Sequence, residues 1–129
     1  MKKTLLLTIV LLIGVVSAYA QKYAEIKFET TVHDFGTFSK SAPKVTYDFR
    51  FTNVGNSPLV INQAIASCGC TIPEYTKAPI EPGKSGVVRV TYNRTGKYPG
   101  PFSKSITIRS NATRALVRLY IQGDMQDKQ

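Results

Sequence analysis

The chain has 129 residues and a formal net charge of +9, from 17 Lys and Arg against 8 Asp and Glu. It holds one histidine, two cysteines and no tryptophan. Two cysteines alone cannot supply the four ligands of a structural zinc site, and no pair of carboxylates stands out for general acid–base work.

Residues 1–20 read as a secretory signal peptide. Lys2 and Lys3 form a positive n-region, and Leu5 to Val16 is an apolar run too short for a comfortable membrane span. Ala18-Tyr19-Ala20 is a small-x-small site, which places cleavage between Ala20 and Gln21. No cysteine follows the apolar run, so lipoprotein processing is not available. The mature chain is therefore expected in the periplasm or secreted, with no transmembrane segment, where disulfides can persist. Loss of Lys2 and Lys3 leaves 15 basic residues against 8 acidic ones, a balance of +7. In an exported protein with scattered basic residues this does not indicate nucleic acid. An anionic glycan or lipid headgroup fits better, and a plainly solvated surface accounts for the charge more simply still.

The remainder is one domain in length, residues 21–123, followed by a tail, 124–129, expected to be disordered. Ile26 and Phe28 alternate with charged residues and suggest a first strand. His33-Asp34-Phe35-Gly36 reads as a strand end or a bend. Val45, Tyr47, Phe49 and Phe51 then share one face, opposite Thr46, Asp48, Arg50 and Thr52, the clearest period-two run in the chain. Asn53 to Pro58 is a turn by composition. Leu59-Val60-Ile61 opens a strand that should reach Ala66, and Thr71 to Pro73 continues as a short extended piece. Pro82-Gly83 suits a tight turn. Val88, Val90 and Tyr92 mark the next strand, Asn93 to Pro101 a long loop, and Phe102 to Arg109 another strand with Ile106 and Ile108 on one face. Ala115, Val117, Leu119 and Ile121 close the pattern, with Gly123 as its end. No helical period is sustained after residue 20. About seven short strands with turn signals between them predict an all-β, immunoglobulin-like sandwich of two antiparallel sheets.

The densest chemistry is Ser67-Cys68-Gly69-Cys70-Thr71, which contains both cysteines. In an extended strand Cys68 and Cys70 would face the same way with their Cα atoms about 6.6–7 Å apart, at the limit for a disulfide. Gly69 can adopt φ > 0 and bend the chain so that the sulfurs meet. Three readings stay open. The pair forms a plain structural disulfide or two packed thiols. It serves redox chemistry, or grips a soft metal, with copper(I) the best match. Or it pairs with a partner's cysteine. The spacing is not Cys-x-x-Cys, so thioredoxin-like chemistry is not implied. His33 could join Cys68 or Cys70 as a nucleophilic pair only if the fold brings them together. His33 and Asp34, as strand neighbours, point to opposite faces and form no dyad by themselves.

The segments His33-Asp34-Phe35-Gly36, Phe51 to Ile61, Ser67 to Thr71 and Pro79-Ile80-Glu81-Pro82-Gly83, in that order, resemble the bacterial domain-of-unknown-function family 1573. The resemblance runs from about Thr30 to Gly123. It implies an immunoglobulin-like sandwich similar to Hydin/ASH and major-sperm-protein-like domains, which are usually interaction modules. Many members look like lipoproteins, and this chain lacks the lipid-attachment cysteine. The resemblance supplies no activity. The expected function is a non-enzymatic binding or scaffold module that meets an envelope protein or anionic glycan and needs no cofactor. The alternative is a thiol-redox or copper protein acting through Cys68 and Cys70.

Overall fold

The computed structural model describes residues 21–127. The expected signal peptide, residues 1–20, lies outside the described residues, as do the last two. Eight strands form two four-stranded sheets. They are β1 (Ile26–Phe28), β2 (Val32–Ser39), β3 (Lys44–Asn53), β4 (Ile61–Ala66), β5 (Thr71–Tyr75), β6 (Ser85–Asn93), β7 (Gly100–Ser110) and β8 (Leu116–Gln126). The first sheet has the order β1-β3-β6-β5 and the second β2-β8-β7-β4.

The core lies between the sheets and follows from strand alternation. Phe49 and Phe51 of β3, Val88 and Val90 of β6, Ile106 and Ile108 of β7, and Leu119 and Ile121 of β8 are buried. Their sequence neighbours Arg50, Arg89 and Arg118 are exposed. Tyr47, Val45 and Val117 sit at the margin, half-buried. Each fully buried aliphatic or aromatic side chain contributes on the order of 1.5–3 kcal/mol of transfer free energy, so the inner faces of these four strands carry most of the stabilisation.

The structure corrects the sequence reading in four places. The extended piece expected at Thr71 to Pro73 is a full strand, β5, which runs to Tyr75 and brings the count to eight against the seven or so expected. His33-Asp34-Phe35-Gly36 is no strand end. It lies inside β2, and the register against β8 shifts between Asp34 and Thr37 at a bulge where Gly36 has φ 67°. The sandwich is not wholly antiparallel, since β2 pairs with β8 in parallel. Finally, β8 does not stop at Gly123 but runs to Gln126, and Met125 is buried, so the domain extends past the boundary drawn at 123 and residues 124–126 are strand, not disordered tail. Gly123 is there for packing. A Cβ at that position would meet the Phe102 ring at 2.9 Å, and a strand glycine of this kind marks close approach, not a stop.

The turn after β3 shows how local sequence fixes the frame. Asn53 is fully buried, and its side chain is fully used. Its Nδ2 donates to the Ser57 and Ile80 carbonyls at 2.8 and 2.9 Å, and its Oδ1 accepts from the Gly55 N–H at 2.9 Å and the Glu25 N–H at 3.3 Å. A Cβ on Gly55 would lie 2.5 Å from the Tyr23 carbonyl oxygen, so only glycine lets the N-terminal segment approach this closely. One asparagine thus ties together the N-terminal segment, the turn and the segment before β6. The Phe-Thr-Asn-Val-Gly stretch therefore serves the fold.

Candidate functional site: the Cys68–Cys70 turn and the faces around it

β4 and β5 are edge strands of different sheets on the same side of the sandwich. The chain crosses between them through Ser67-Cys68-Gly69-Cys70. The Thr71 N–H donates to the Cys68 carbonyl at 3.3 Å, so the crossing is a four-residue β-turn. Ser67 N–H donates to the Ser105 carbonyl of β7 at 3.0 Å, and Asn93 N–H of β6 donates to the Cys70 carbonyl at 2.9 Å. The turn is therefore pinned to both sheets.

Within it Cys68 and Cys70 are joined as a disulfide, with Cα atoms 5.4 Å apart. The turn shortens the extended separation expected from the sequence. Gly69 does this without φ > 0. The positive-φ glycines are Gly36, Gly83, Gly96 and Gly100, so the expectation for Gly69 is corrected. Nothing lies within 4 Å of a Cβ built on it. Both cysteines are half-buried, and Cys70 packs against the hydrophobic core. Thr71, only 4% exposed, places its Oγ1 3.5 Å from Cys68 Sγ and 3.9 Å from Cys70 Sγ. No other hydrogen-bond partner of that hydroxyl is present among the described residues. In the sequence Thr71 closes the cysteine motif and opens an extended piece, and nothing there assigns a role to its hydroxyl.

As for metals, the sulfurs are engaged with each other, so copper binding by the pair would first require reduction. Among the described residues no group of three or more His, Cys, Asp or Glu side chains is arranged to hold an ion.

His33 is remote from this turn. It sits on β2, and β2 and β4 are opposite edges of the second sheet. Three strand spacings separate them, roughly 14 Å, so the Cys–His pair does not form. His33 instead stacks on Tyr47 across the sheets, ring centroids 3.6 Å apart and planes 9° from parallel, with Phe35 edge-on at 4.7 Å. Burial pushes its pKa below the usual 6.5, and the Asp34 carboxylate opposes that shift. Asp34 is exposed. It accepts from the Gly36 N–H at 2.8 Å and from Gln122 at 3.3 Å, and these hydrogen bonds hold its own pKa low. The pair is structural: His33 fills the margin of the core and Asp34 fastens the bulge. Gln21, the expected first mature residue, is exposed, while Ala20 lies outside the described residues.

The two outer faces differ in the number of apolar side chains they expose. On the first sheet one, Ile72 of β5, is exposed in the row of Thr91 and Thr46, among polar groups that pair with one another. Thr46 and Thr91 hydroxyls pair at 3.2 Å, Thr52 and Ser85 at 3.0 Å, and Arg89 donates two hydrogen bonds to Asp48 at 2.7 and 3.1 Å. On the second sheet, register places Val32, Tyr120 and Ser105 in one row, Arg118, Thr107 and Ile65 in the next, and Leu116, Arg109 and Gln63 in a third. Val32, Ile65, Leu116 and Tyr120 are all large and exposed, at 40–52%. Neither Arg109 nor Arg118 makes an ion pair among the described residues. Apolar side chains and free guanidinium groups on one face are the composition of an interaction surface.

Two four-stranded sheets packed face to face make this an immunoglobulin-like β-sandwich. A family described as "Protein of unknown function (DUF1573)" matches residues 26–125, and the chain belongs to that family. Among solved structures, a protein of unknown function from Porphyromonas gingivalis W83 is similar at TM-score 0.70 and 16% identity, over 83% of this chain and 50% of that one. The chain thus spans half the length of that relative. PapD-like domain 7 of human CEP192 matches at TM-score 0.63 and 8% identity, over 85% and 91%. The Pseudomonas aeruginosa CupB2 chaperone matches at TM-score 0.52 and 17% identity, over 80% and 56%. At these identities the likeness concerns the fold. No curated protein sequence matches the chain. No helix among the described residues is long and apolar enough to cross a membrane.

Proposed function

We propose that the chain is an exported, non-enzymatic binding module of the bacterial cell envelope, periplasmic or secreted, which holds a partner protein against the outer face of its second sheet. One observation carries the reading. Exposed Val32, Ile65, Leu116 and Tyr120 share that face with Arg109 and Arg118, four large apolar side chains where the outer face of the other sheet exposes one, Ile72. The partner that complements this face carries apolar side chains flanked by carboxylates. A fold shared with a bacterial chaperone accords with a protein partner. The n-region, apolar run and Ala18-Tyr19-Ala20 site support export.

The test is site-specific photo-cross-linking in the native host, with the cross-linker at Ile65 or Tyr120 and, separately, at Thr91 on the other sheet. The expected result is one protein adduct from the first two positions, lost when Arg118→Glu is added, and none from Thr91. Adducts from Thr91 that match those from Tyr120, or adducts with glycan only, would overturn the assignment of a protein partner to this face. Intact-mass analysis of the same preparation should give Gln21 as the first residue.

A further inference from the structure

The disulfide at Cys68–Cys70 contributes little as a brace. It closes a ring around one residue and joins no elements that the backbone does not already join. Backbone hydrogen bonds from Thr71, Ser67 and Asn93 hold the turn without it. Chain-entropy stabilisation by a disulfide shrinks with the loop it closes, and this loop is minimal.

Thr71 supplies a second, independent observation. It is nearly fully buried, and its hydroxyl has only the two sulfurs within reach. Buried hydroxyls ordinarily pair with oxygen or nitrogen. Disulfide sulfur is a weak acceptor, whereas a thiolate is a charged one and makes a much stronger hydrogen bond. The hydroxyl is therefore poorly satisfied in the oxidised state and well satisfied once the bond opens.

We propose that Cys68–Cys70 is a thiol–disulfide exchange site, which accepts electrons from thiolates in the compartment to which the chain is exported. Cys70 is packed against the core, so Cys68 is the less encumbered sulfur. An incoming thiolate attacks Cys68 Sγ. A new S–S bond forms to the incoming sulfur as the Cys68–Cys70 bond breaks, and the electron pair leaves on Cys70 Sγ, toward which the Thr71 O–H, within reach of both sulfurs and 3.9 Å from this one in the disulfide, turns to donate. A second thiolate then attacks the incoming group's sulfur in the mixed disulfide. It releases an external disulfide and leaves Cys68 and Cys70 reduced. Two external thiols are oxidised and the pair takes up two electrons. The incoming thiol is either a cysteine of an exported protein or a small-molecule thiol. The site does not depend on the proposed binding face.

The test uses the purified mature chain in its oxidised form, incubated either with glutathione or with an unfolded peptide bearing one cysteine, then alkylated and weighed intact. The wild type should be reduced by millimolar thiol. Cys70→Ser, first oxidised with glutathione disulfide, should retain one glutathione on Cys68. Thr71→Val should slow reduction about tenfold, the size of one charge-assisted hydrogen bond, and Thr71→Ser should restore the rate. Faster reaction with the peptide assigns the thiol to a protein, and faster reaction with glutathione assigns it to a small molecule. A wild-type disulfide that resists both, or equal rates for wild type and Thr71→Val, would overturn the proposal. Because Cys70→Ser keeps Thr71, adduct formation reads the exchange even if Thr71→Val fails to fold.

Discussion

Two buried polar residues have opposite roles at the residue scale. Asn53 has partners for both its amide N–H groups and for its carbonyl. Asn53→Leu would leave the Ser57 carbonyl and the Gly55 N–H without a partner, while the Ile80 carbonyl keeps the Leu59 N–H, at a cost of about 3 kcal/mol. A fall in the denaturation midpoint measures it, with Thr52→Leu on the solvent face as a near-neutral control. Thr71, by contrast, faces sulfur alone, and its hydroxyl gains its best partner only when chemistry occurs. His33 gives a pH prediction. Its folded pKa lies below the unfolded value of 6.5, so the unfolded state binds more protons as the pH falls. Stability is then fully present above about pH 6.5 and declines as the pH drops through the unfolded value toward the folded one. Thermal melts should show this loss between pH 7 and pH 5 in the wild type, and a smaller loss in His33→Phe, which keeps an aromatic ring against Tyr47.

Alternation carries the argument at the scale of elements. Val90→Asp would bury an unpaired charge in the core between the sheets and should unfold the domain or cost at least about 4 kcal/mol. Thr91→Asp, one residue on, points to solvent and should cost less than about 1 kcal/mol. Chemical denaturation of the two variants compares them directly. The strands with this period were legible from the residues, because a two-residue repeat of Phe, Val and Ile leaves one choice of face. β2 was not. Its alternation is interrupted by a bulge, and its partner β8 lies near the other end of the chain, so neither the pairing nor its parallel sense is written locally. The end of β8 was misread because Gly123 stands where a stop would, while its true role, making room for Phe102, depends on a neighbouring strand. The cysteine turn was legible as a pair close enough to bond. Its backbone was not, since the turn made by Cys68 to Thr71 needs no left-handed glycine. Thr71 could have been noticed as the hydroxyl nearest the pair in sequence, but only the fold shows that it is buried.

For the whole molecule, the disulfide and the fold are separable. Cys68→Ser with Cys70→Ser should remain folded, losing only about 1–2 kcal/mol by the chain-entropy relation for so short a loop, and calorimetry will show whether the loss stays that small. The two sheets divide the work. The first pairs Thr46 with Thr91, Thr52 with Ser85 and Arg89 with Asp48 around one exposed apolar side chain, Ile72, and the second gathers four exposed apolar side chains beside Arg109 and Arg118, which make no ion pair among the described residues. The central claim is that recognition takes place on the second sheet, and amide chemical-shift mapping tests it most directly. Isotopically labelled protein spanning residues 21–129 would be titrated with the partner captured by cross-linking, and the shifts assigned strand by strand. The account predicts perturbations along β4, β7 and β8, centred on Ile65, Thr107 and Arg118, with β3 and β6 unmoved. Perturbations confined to β3 and β6 would contradict it.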